Sequence, residues 1–176
     1  MVGPYAQNDV TIHVTGSMAS KPYVDITLDA MSAFGVGIRN EAYRTFFIQA
    51  GQRYLPKTYR IEGDASNASY FFSAAAICKG RVKVKGLNPK TIQSDIGFLK
   101  ILEKMGCSVT HGKDWIEVLG GVLHGIEMDM NEMPDLVPTL AVTAAFASGK
   151  TVIQNIGHLR FKESDRIHAL TGELSK

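Results

Sequence analysis

The sequence repeats itself with a period of 70 residues, and this repeat constrains the fold more than any other feature. Asp25-Ile26 recurs as Asp95-Ile96, and Ser94-Asp95 recurs as Ser164-Asp165. The order of predicted elements recurs with them, as strand, helix, strand, helix, strand, strand. A shared order of elements is harder to obtain by chance than a few shared residues. We therefore expect an α/β (α+β) protein built from repeated βαβαββ units.

Hydrophobic periodicity and turn residues place the elements of each unit. Helices are predicted over 21–34, 65–78, 92–105, 136–147 and from 162 to 176. Strands are predicted over 11–15, 36–50 (two short runs), 59–62, 82–85, 107–118 (a hairpin), 126–130 and 151–153. The first copy lacks its opening strand and helix, and no hairpin follows the last helix. These two features predict a piece of a longer repeat protein.

Composition excludes several classes of protein. With 45% hydrophobic and 20% charged residues, the chain is expected to form one or two small globular domains. A net charge of +2 is too small to indicate a nucleic-acid partner. No apolar run reaches the roughly 18 residues that span a membrane, and residues 1–10 do not resemble a signal peptide. Cys78 and Cys107 lie in apolar contexts without a CxxC pattern, which predicts two reduced, buried thiols in a cytoplasmic protein.

Two charged clusters flank the apolar segment 136–147. The first contains Asp135, and the second contains Lys162, Glu163, Asp165 and Arg166. This arrangement can bring an acid, a base and two cations together. The residues alone leave plainer interpretations open, however. Asp135 is also a favourable residue for a helix N-terminus, and Glu163 with Arg166 has the spacing of a solvated ion pair on one helix face.

Four motifs closely resemble those of the 5-enolpyruvylshikimate-3-phosphate (EPSP) synthases, also called 3-phosphoshikimate 1-carboxyvinyltransferases. They are SKPYVDITLDAM (20–31), IEGDASNASYF (61–71), MDMNEMPD (128–135) and LRFKESDRI (159–167). The resemblance implies an inside-out α/β barrel of βαβαββ units, here truncated, with the substrate site in a cleft between two domains. Residues 1–62 would be the last unit of the family's second domain, in part. Residues 63–176 would be part of its first domain, cut before the last unit.

The resemblance also implies the reaction and its requirements. The family transfers the enolpyruvyl group of phosphoenolpyruvate to the 5-hydroxyl of shikimate 3-phosphate and releases phosphate, in the shikimate pathway of aromatic amino acid biosynthesis. It needs no metal and no organic cofactor. Several basic residues that the family uses are absent here, so the isolated chain is expected to be inactive. The alternatives are a non-catalytic fragment that binds phosphorylated ligands weakly, or a piece of a UDP-N-acetylglucosamine enolpyruvyl transferase.

Site residues carry over from the family motifs, beginning with the two charged clusters. Asp135 matches the proton acceptor that also binds the shikimate 3-phosphate hydroxyls, and Glu163 matches the acid that acts at the methylene carbon. Lys162 matches a shikimate-3-phosphate-binding lysine, and Arg166 matches a phosphoenolpyruvate-binding arginine. Asp165 is predicted to be structural, because its repeat equivalents lie in unlike surroundings.

Three further residues are predicted to bind shikimate 3-phosphate. Ser20 matches a residue that contacts the substrate phosphate, and Tyr23 matches one near the substrate ring. His158 stands where many family members have asparagine, and an imidazole can still donate to a hydroxyl. Without the resemblance, Ser20 before Pro22 would also suit an ordinary helix N-cap. Truncation is further expected to expose apolar surface and to favour self-association.

Overall fold

The computed structural model describes residues 1–176 and divides them into two compact units, Met1–Ile61 and Glu62–Lys176. Both units contain helices and antiparallel strands, as the sequence predicts. No helix in either unit combines the length and the apolar composition that crossing a membrane requires.

The first unit is a three-stranded antiparallel sheet with one helix. Its sheet order is β1-β3-β2, and the buried side chains of Phe46 and Ile48 in the central strand contribute to its core together with Met31 of the helix. The predicted helix and the two strand runs of residues 36–50 are confirmed. The elements are β1 (Val10–His13), α1 (Lys21–Ala33), β2 (Ile38–Glu41) and β3 (Thr45–Ile48).

The second unit contains four helices and five strands. β4, β6 and β5 form an antiparallel sheet in that order, and β7 pairs with β8 in parallel. The elements are α2 (Ala65–Ile77), β4 (Arg81–Lys85), α3 (Phe98–Met105), β5 (Ser108–His111), β6 (Trp115–Leu119), β7 (Glu127–Asp129), α4 (Val137–Ala144), β8 (Val152–Gln154) and α5 (Arg166–Leu174).

One hydrophobic core holds the second unit together. α3 is strongly amphipathic and buries Phe98, Ile101, Leu102 and Met105 on one face. Gly106 ends this helix in the left-handed region at φ 113°, where a glycine is favoured. Together with buried residues of α2, β6 and α4, these side chains form a single cluster, and burial of that apolar area is the main force that stabilises the unit.

The 70-residue repeat is visible as direct contact between equivalent side chains. α2 and α4 occupy equivalent positions in consecutive repeats, and they pack against each other. The Ser69 hydroxyl donates a hydrogen bond of 3.3 Å to Thr139 Oγ1. Ser73 and Thr143 form a second buried hydrogen bond. Both pairs are 70 residues apart, so the sequence period brings matching helix faces together.

Three of the predicted helices are shorter than expected. The predicted helix 92–105 begins with a 3-10 turn at Ser94–Gly97, and α3 starts only at Phe98. The residues before that turn form side-chain hydrogen bonds to the start of the second unit instead of a helix. Gln93 Oε1 accepts from the Ala65 N–H at 2.9 Å, and the Thr91 hydroxyl donates to Glu62. The predicted helices 136–147 and 162–176 shorten to α4 and α5.

Two further expectations are wrong. Residues 59–62 form no strand. Directly after them, the Gly63 N–H donates to the Gly86 carbonyl at 2.9 Å, but one backbone hydrogen bond does not pair two strands. The apolar segment around α4 is less buried than a nearly unbroken apolar run suggests. Val142 is 42% exposed and Phe146 is 61% exposed, because only one side of the helix faces the core.

Candidate active site

Arg166 joins two acidic side chains in the second unit. Its Nη1 donates to Asp135 Oδ1 at 2.8 Å, and its Nη2 donates to Glu163 Oε2 at 2.9 Å. Lys162 Nζ lies 3.6 Å from the same Asp135 oxygen. The four charged residues predicted from the two clusters therefore converge on one place. The planar guanidinium suits this arrangement because it presents donors in fixed directions.

Asp135 is placed by a short turn with buried neighbours. It lies in the 3-10 turn Pro134–Leu136, where Pro134 and Leu136 are buried and the Asp135 side chain is 35% exposed. The N-terminus of α4 receives no side-chain capping bond. Asp135 therefore makes no capping bond, but it is an acid in the first turn of the 3-10 helix that leads into α4, and its carboxylate faces the two cations.

Asp165 begins α5 and orients the loop before it. Its Oδ1 accepts from the His168 N–H at 2.9 Å, which is the geometry of an N-cap, and its Oδ2 accepts from Arg160 Nη1 at 2.9 Å. The structural role predicted for Asp165 is confirmed. No sequence pattern indicates Arg160, because a contact between residues five apart matches neither the helical nor the strand period.

Lys162 and Glu163 lie outside the helix. α5 begins at Arg166, so the expectation that Glu163 and Arg166 share one helix face is wrong. The predicted ion pair does form, with the Glu163 side chain 81% exposed, but it crosses the capping turn. This turn, rather than helical spacing, directs Glu163 and Arg166 toward each other.

The surroundings of Glu163 and Arg166 favour the charged form of each side chain. The pKa of Glu163 is lowered by a hydrogen bond from its own backbone N–H, and further by the hydrogen bond and charge of Arg166. Burial opposes the charge of Arg166, but its bonds to Glu163 and Asp135 outweigh this effect and raise its pKa above the usual range. At neutral pH, Arg166 is thus a cation and Glu163 a carboxylate.

His158 contains a buried nitrogen without a partner. It lies in the 3-10 turn Gly157–Phe161, and its Nε2 is shielded from solvent yet makes no hydrogen bond. Most buried polar atoms in proteins are paired, so an unpaired one calls for an explanation.

Ser20 and Tyr23 lie in the first unit, at the start of α1. Ser20 occupies the N-cap position, but its side chain makes no capping bond and its backbone is left-handed at φ 57°. The ordinary capping interpretation of the hydroxyl is therefore wrong. The Tyr23 N–H donates to the Ser20 carbonyl at 3.1 Å, which fixes the two residues relative to each other.

Neither a disulfide nor a metal cluster is present. Both cysteines are free, and Cys107 is buried as predicted, but the predicted burial of Cys78 is wrong, because it lies at the exposed C-terminal end of α2. Burial raises the pKa of the Cys107 thiol, which keeps it protonated. No three His, Cys, Asp or Glu side chains are grouped so that they could hold a metal ion.

Curated proteins match this chain over its whole length. The 3-phosphoshikimate 1-carboxyvinyltransferase of Yersinia pseudotuberculosis serotype O:3 is 51% identical over 177 residues, which is 100% of this chain and 41% of the relative. The enzyme of the same name from Photorhabdus laumondii subsp. laumondii is 50% identical with the same coverage. The chain thus spans about two-fifths of the length of these relatives.

Solved structures share the fold. An EPSP synthase from Acinetobacter baumannii matches with a TM-score of 0.73 and 24% identity, over 98% of this chain and 40% of that one. The enolpyruvyl transferase NikO from Streptomyces tendae matches with a TM-score of 0.63 and 18% identity, over 92% of this chain and 40% of that one. The family model described as EPSP synthase (3-phosphoshikimate 1-carboxyvinyltransferase) matches residues 1–176. The chain therefore belongs to the EPSP synthase family.

Proposed function

We propose that this chain supplies acid–base and substrate-binding residues for the transfer of an enolpyruvyl group from phosphoenolpyruvate to the 5-hydroxyl of shikimate 3-phosphate. The observation that carries this proposal is the Arg166 bridge between Asp135 and Glu163, with Lys162 beside it. The arrangement offers two acids for proton transfer and two cations for phosphates and carboxylates. The names of the relatives describe a transferase of this kind.

Asp135 is the general base in this proposal. As the 5-hydroxyl oxygen forms a bond to C2 of phosphoenolpyruvate, the hydroxyl proton moves to the Asp135 carboxylate. Glu163 donates a proton to the methylene carbon, which becomes a methyl group. When the C2–O bond to phosphate breaks, inorganic phosphate leaves and a methyl proton returns to a base, which restores the enol ether. A positioned acid or base of this kind typically contributes roughly 100- to 10,000-fold to rate.

Glu163 must be able to carry a proton, although it is ionised in the free protein. Arg166 is one of the groups that lower its pKa. The carboxylate or phosphate of phosphoenolpyruvate competes for the same guanidinium donors. When the ligand takes Arg166, Glu163 loses a charged partner and its pKa rises. The withdrawal of Arg166 and the negative charge of the bound ligand both favour the protonated form of Glu163, which is the form that the proposed step requires.

Each unit, taken by itself, offers polar groups suited to a phosphorylated ligand that carries hydroxyls. In the second unit, Lys162 offers a charge, and His158 offers its unpaired Nε2 to a substrate hydroxyl. In the first unit, Ser20 offers a hydroxyl that is not engaged in capping, and Tyr23 lies one helical turn away. These groups serve orientation, while the protons are moved by Asp135 and Glu163.

The isolated chain is proposed to turn over little substrate. It spans 41% of the length of its relatives, so it contributes only part of the machinery that they use. A cytoplasmic location is part of the proposal, and the two free cysteines accord with it.

A chimera tests this proposal. The chain replaces the 50% identical segment of the Photorhabdus laumondii enzyme, and phosphate release is measured with both substrates. Asp135→Ala is expected to lower kcat roughly 100- to 10,000-fold. The matched control is Glu173→Gln on the exposed end of α5, where activity should stay within about twofold. Full activity of the Asp135 variant would refute its role as base.

A second measurement separates binding from catalysis in the chain itself. Calorimetric titration of the purified chain with shikimate 3-phosphate is expected to show binding that weakens in Lys162→Gln. Phosphate release by the isolated chain at the rate of the chimera would contradict its proposed inactivity.

A further inference from the structure

The turn between β2 and β3 adopts a conformation that its residues disfavour. Ala42 and Tyr43 lie at φ 49° and φ 57°, and the Arg44 N–H donates to the Glu41 carbonyl at 2.9 Å across them. Two-residue turns with both central residues left-handed strongly prefer Asn-Gly or similar pairs. Such backbone conformations persist where the surrounding structure fixes them, and they concentrate near functional sites. The contacts of Tyr43 show what fixes this turn.

Tyr43 contacts α1 at two points. Its hydroxyl donates toward the Asp25 carboxylate, at 2.8 Å from Oδ1 and 2.9 Å from Oδ2. Lys21 Nζ lies 5.3 Å from the centroid of the Tyr43 ring, within the range of a cation–π interaction. Because Lys21 and Asp25 are four residues apart, they share one face of the helix.

The other side of Tyr43 is held by the hairpin. Its N–H donates to Asn40 Oδ1 at 2.8 Å, and its ring meets the edge of the Phe46 ring at a centroid distance of 6.4 Å. Phe46 is buried in the core of the first unit. The side chain of Tyr43 thus links the rigid sheet to the first half of α1.

The helix segment that Tyr43 holds carries Ser20 and Tyr23. Ser20 directly precedes Lys21 and is itself left-handed, and its carbonyl accepts from the Tyr23 N–H. We propose that Tyr43 is a positioning residue, which holds Ser20 and Tyr23 in the orientation that binds the phosphorylated substrate. This inference rests on the function proposed above. Tyr43 touches no substrate in this account and acts only through Lys21 and Asp25.

Tyr43→Phe tests the proposal, because it removes the hydroxyl and keeps the ring. Calorimetric titration with shikimate 3-phosphate is expected to show binding roughly three- to tenfold weaker, the effect of one lost hydrogen bond. Amide hydrogen exchange of the ligand-free chain should accelerate at Tyr23, whose N–H is bonded to the Ser20 carbonyl. The control is Tyr5→Phe, which removes the hydroxyl of a tyrosine that is 62% exposed, and neither quantity should change.

Variants of Asp25 separate positioning from general stability. Asp25→Asn keeps a carbonyl that accepts from Tyr43, so it should retain most of the binding and slow exchange. Asp25→Ala should reproduce the effect of Tyr43→Phe. If exchange accelerates equally in β1, β2 and β3, Tyr43 has a merely structural role and the proposal is overturned.

The titration and the exchange measurement test different claims. Absence of shikimate 3-phosphate binding by the parent chain would count against the proposed function. The exchange measurement still decides the role of Tyr43 in that event, because it needs no ligand. Unchanged exchange at Tyr23 in Tyr43→Phe overturns the positioning role, whatever the outcome of the titration.

Discussion

Asp135 and Arg166 lie 31 residues apart in the chain and are joined by a hydrogen bond of 2.8 Å between Oδ1 and Nη1. The same guanidinium donates its other terminal nitrogen to Glu163. One cation is therefore shared by two acids to which the proposed reaction gives different tasks. Any ligand or mutation that withdraws Arg166 alters both acids at once.

Arg166→Gln should raise the pKa of Glu163. The glutamine cannot supply the charge of Arg166, so only the hydrogen bond from the Glu163 backbone N–H and the charge of Lys162 remain to lower the pKa. The value should move back toward 4.5 without passing it. A titration of the side-chain carboxyl carbons by NMR measures this change.

Arg160→Gln serves as the matched control for that titration. Arg160 pairs with Asp165 at 2.9 Å and makes no bond to Glu163. The titration of Glu163 should therefore stay as in the parent chain, while the pKa of Asp165 rises slightly because one cause of its lowering is gone. An equal shift of Glu163 in both variants would show that the loop, rather than Arg166, sets its pKa.

Ser20 allows strain and function to be measured separately. Ser20→Gly and Ser20→Ala both remove the hydroxyl, but only glycine adopts φ 57° without steric cost. The glycine variant should be more stable than the alanine variant by about 1 kcal/mol. Urea unfolding followed by circular dichroism measures this difference.

Both Ser20 variants should lose affinity for shikimate 3-phosphate to a similar extent. The hydroxyl makes no capping bond, so its loss removes a ligand contact and no helix contact. Affinity that is kept in both variants would exclude Ser20 from the binding site. Affinity lost only in the alanine variant would assign the effect to backbone conformation.

Sequence patterns predicted the elements better than they predicted their ends. The period of 70 residues identified equivalent helices because apolar and small side chains must recur where equivalent faces pack, as Ser69 and Thr139 do. The start of α5 was placed four residues too early, because residues 162–165 have helix-compatible side chains. The structure shows that they form a turn, because Asp165 caps α5 by accepting from the His168 N–H and also pairs with Arg160.

In the candidate site too, local patterns predict which residues take part but not which residues contact each other. Spacing alone could not distinguish Asp135 as a helix cap from Asp135 as a reactive acid, because both uses favour a carboxylate before a helix. The contact with Arg166 depends on how two distant segments meet, and no local pattern encodes it. The contact of Tyr43 with Asp25 could not be predicted either, because it forms only when the hairpin turn faces α1.

Exposed apolar side chains on α2 and α4 should cause the chain to self-associate with a second copy. The two helices pack together. α2 exposes Tyr70 (58%) and Phe71 (62%), α4 exposes Val142 (42%), and Phe146 (61% exposed) follows two residues after the end of α4. Clustered apolar surface of this kind favours association. Sedimentation velocity over a wide concentration range should show a dimer or larger species that Phe146→Ser weakens.

Phe161→Ser is the control for self-association, because Phe161 is 88% exposed but lies outside these two helices. This change should leave the association unaltered. A parent chain that sediments as a monomer at every concentration would refute the expectation. Equal weakening by both substitutions would indicate general hydrophobicity rather than this surface.

The buried pair of Ser73 and Thr143 should show unequal single-mutant effects. The Thr143 hydroxyl proton is donated to the Thr139 carbonyl at 2.8 Å, so Ser73 must be the donor in its bond to Thr143. Thr143→Val leaves the Ser73 donor buried without its acceptor, and should destabilise the second unit by about 1–3 kcal/mol. Ser73→Ala leaves the Thr143 donor satisfied and should cost less, about 1 kcal/mol.

Urea unfolding followed by the fluorescence of Trp115, the single tryptophan, reports on the second unit. The double variant should lose less than the sum of the single variants, because no unpaired donor remains once both hydroxyls are gone. The resulting coupling should reach at least about 0.5 kcal/mol. Thr171→Val on α5 is the control; its exposed hydroxyl bonds only within its own helix, and stability should change by less than about 0.5 kcal/mol. Strict additivity would mean that the repeat-related hydroxyls do not stabilise the contact between α2 and α4.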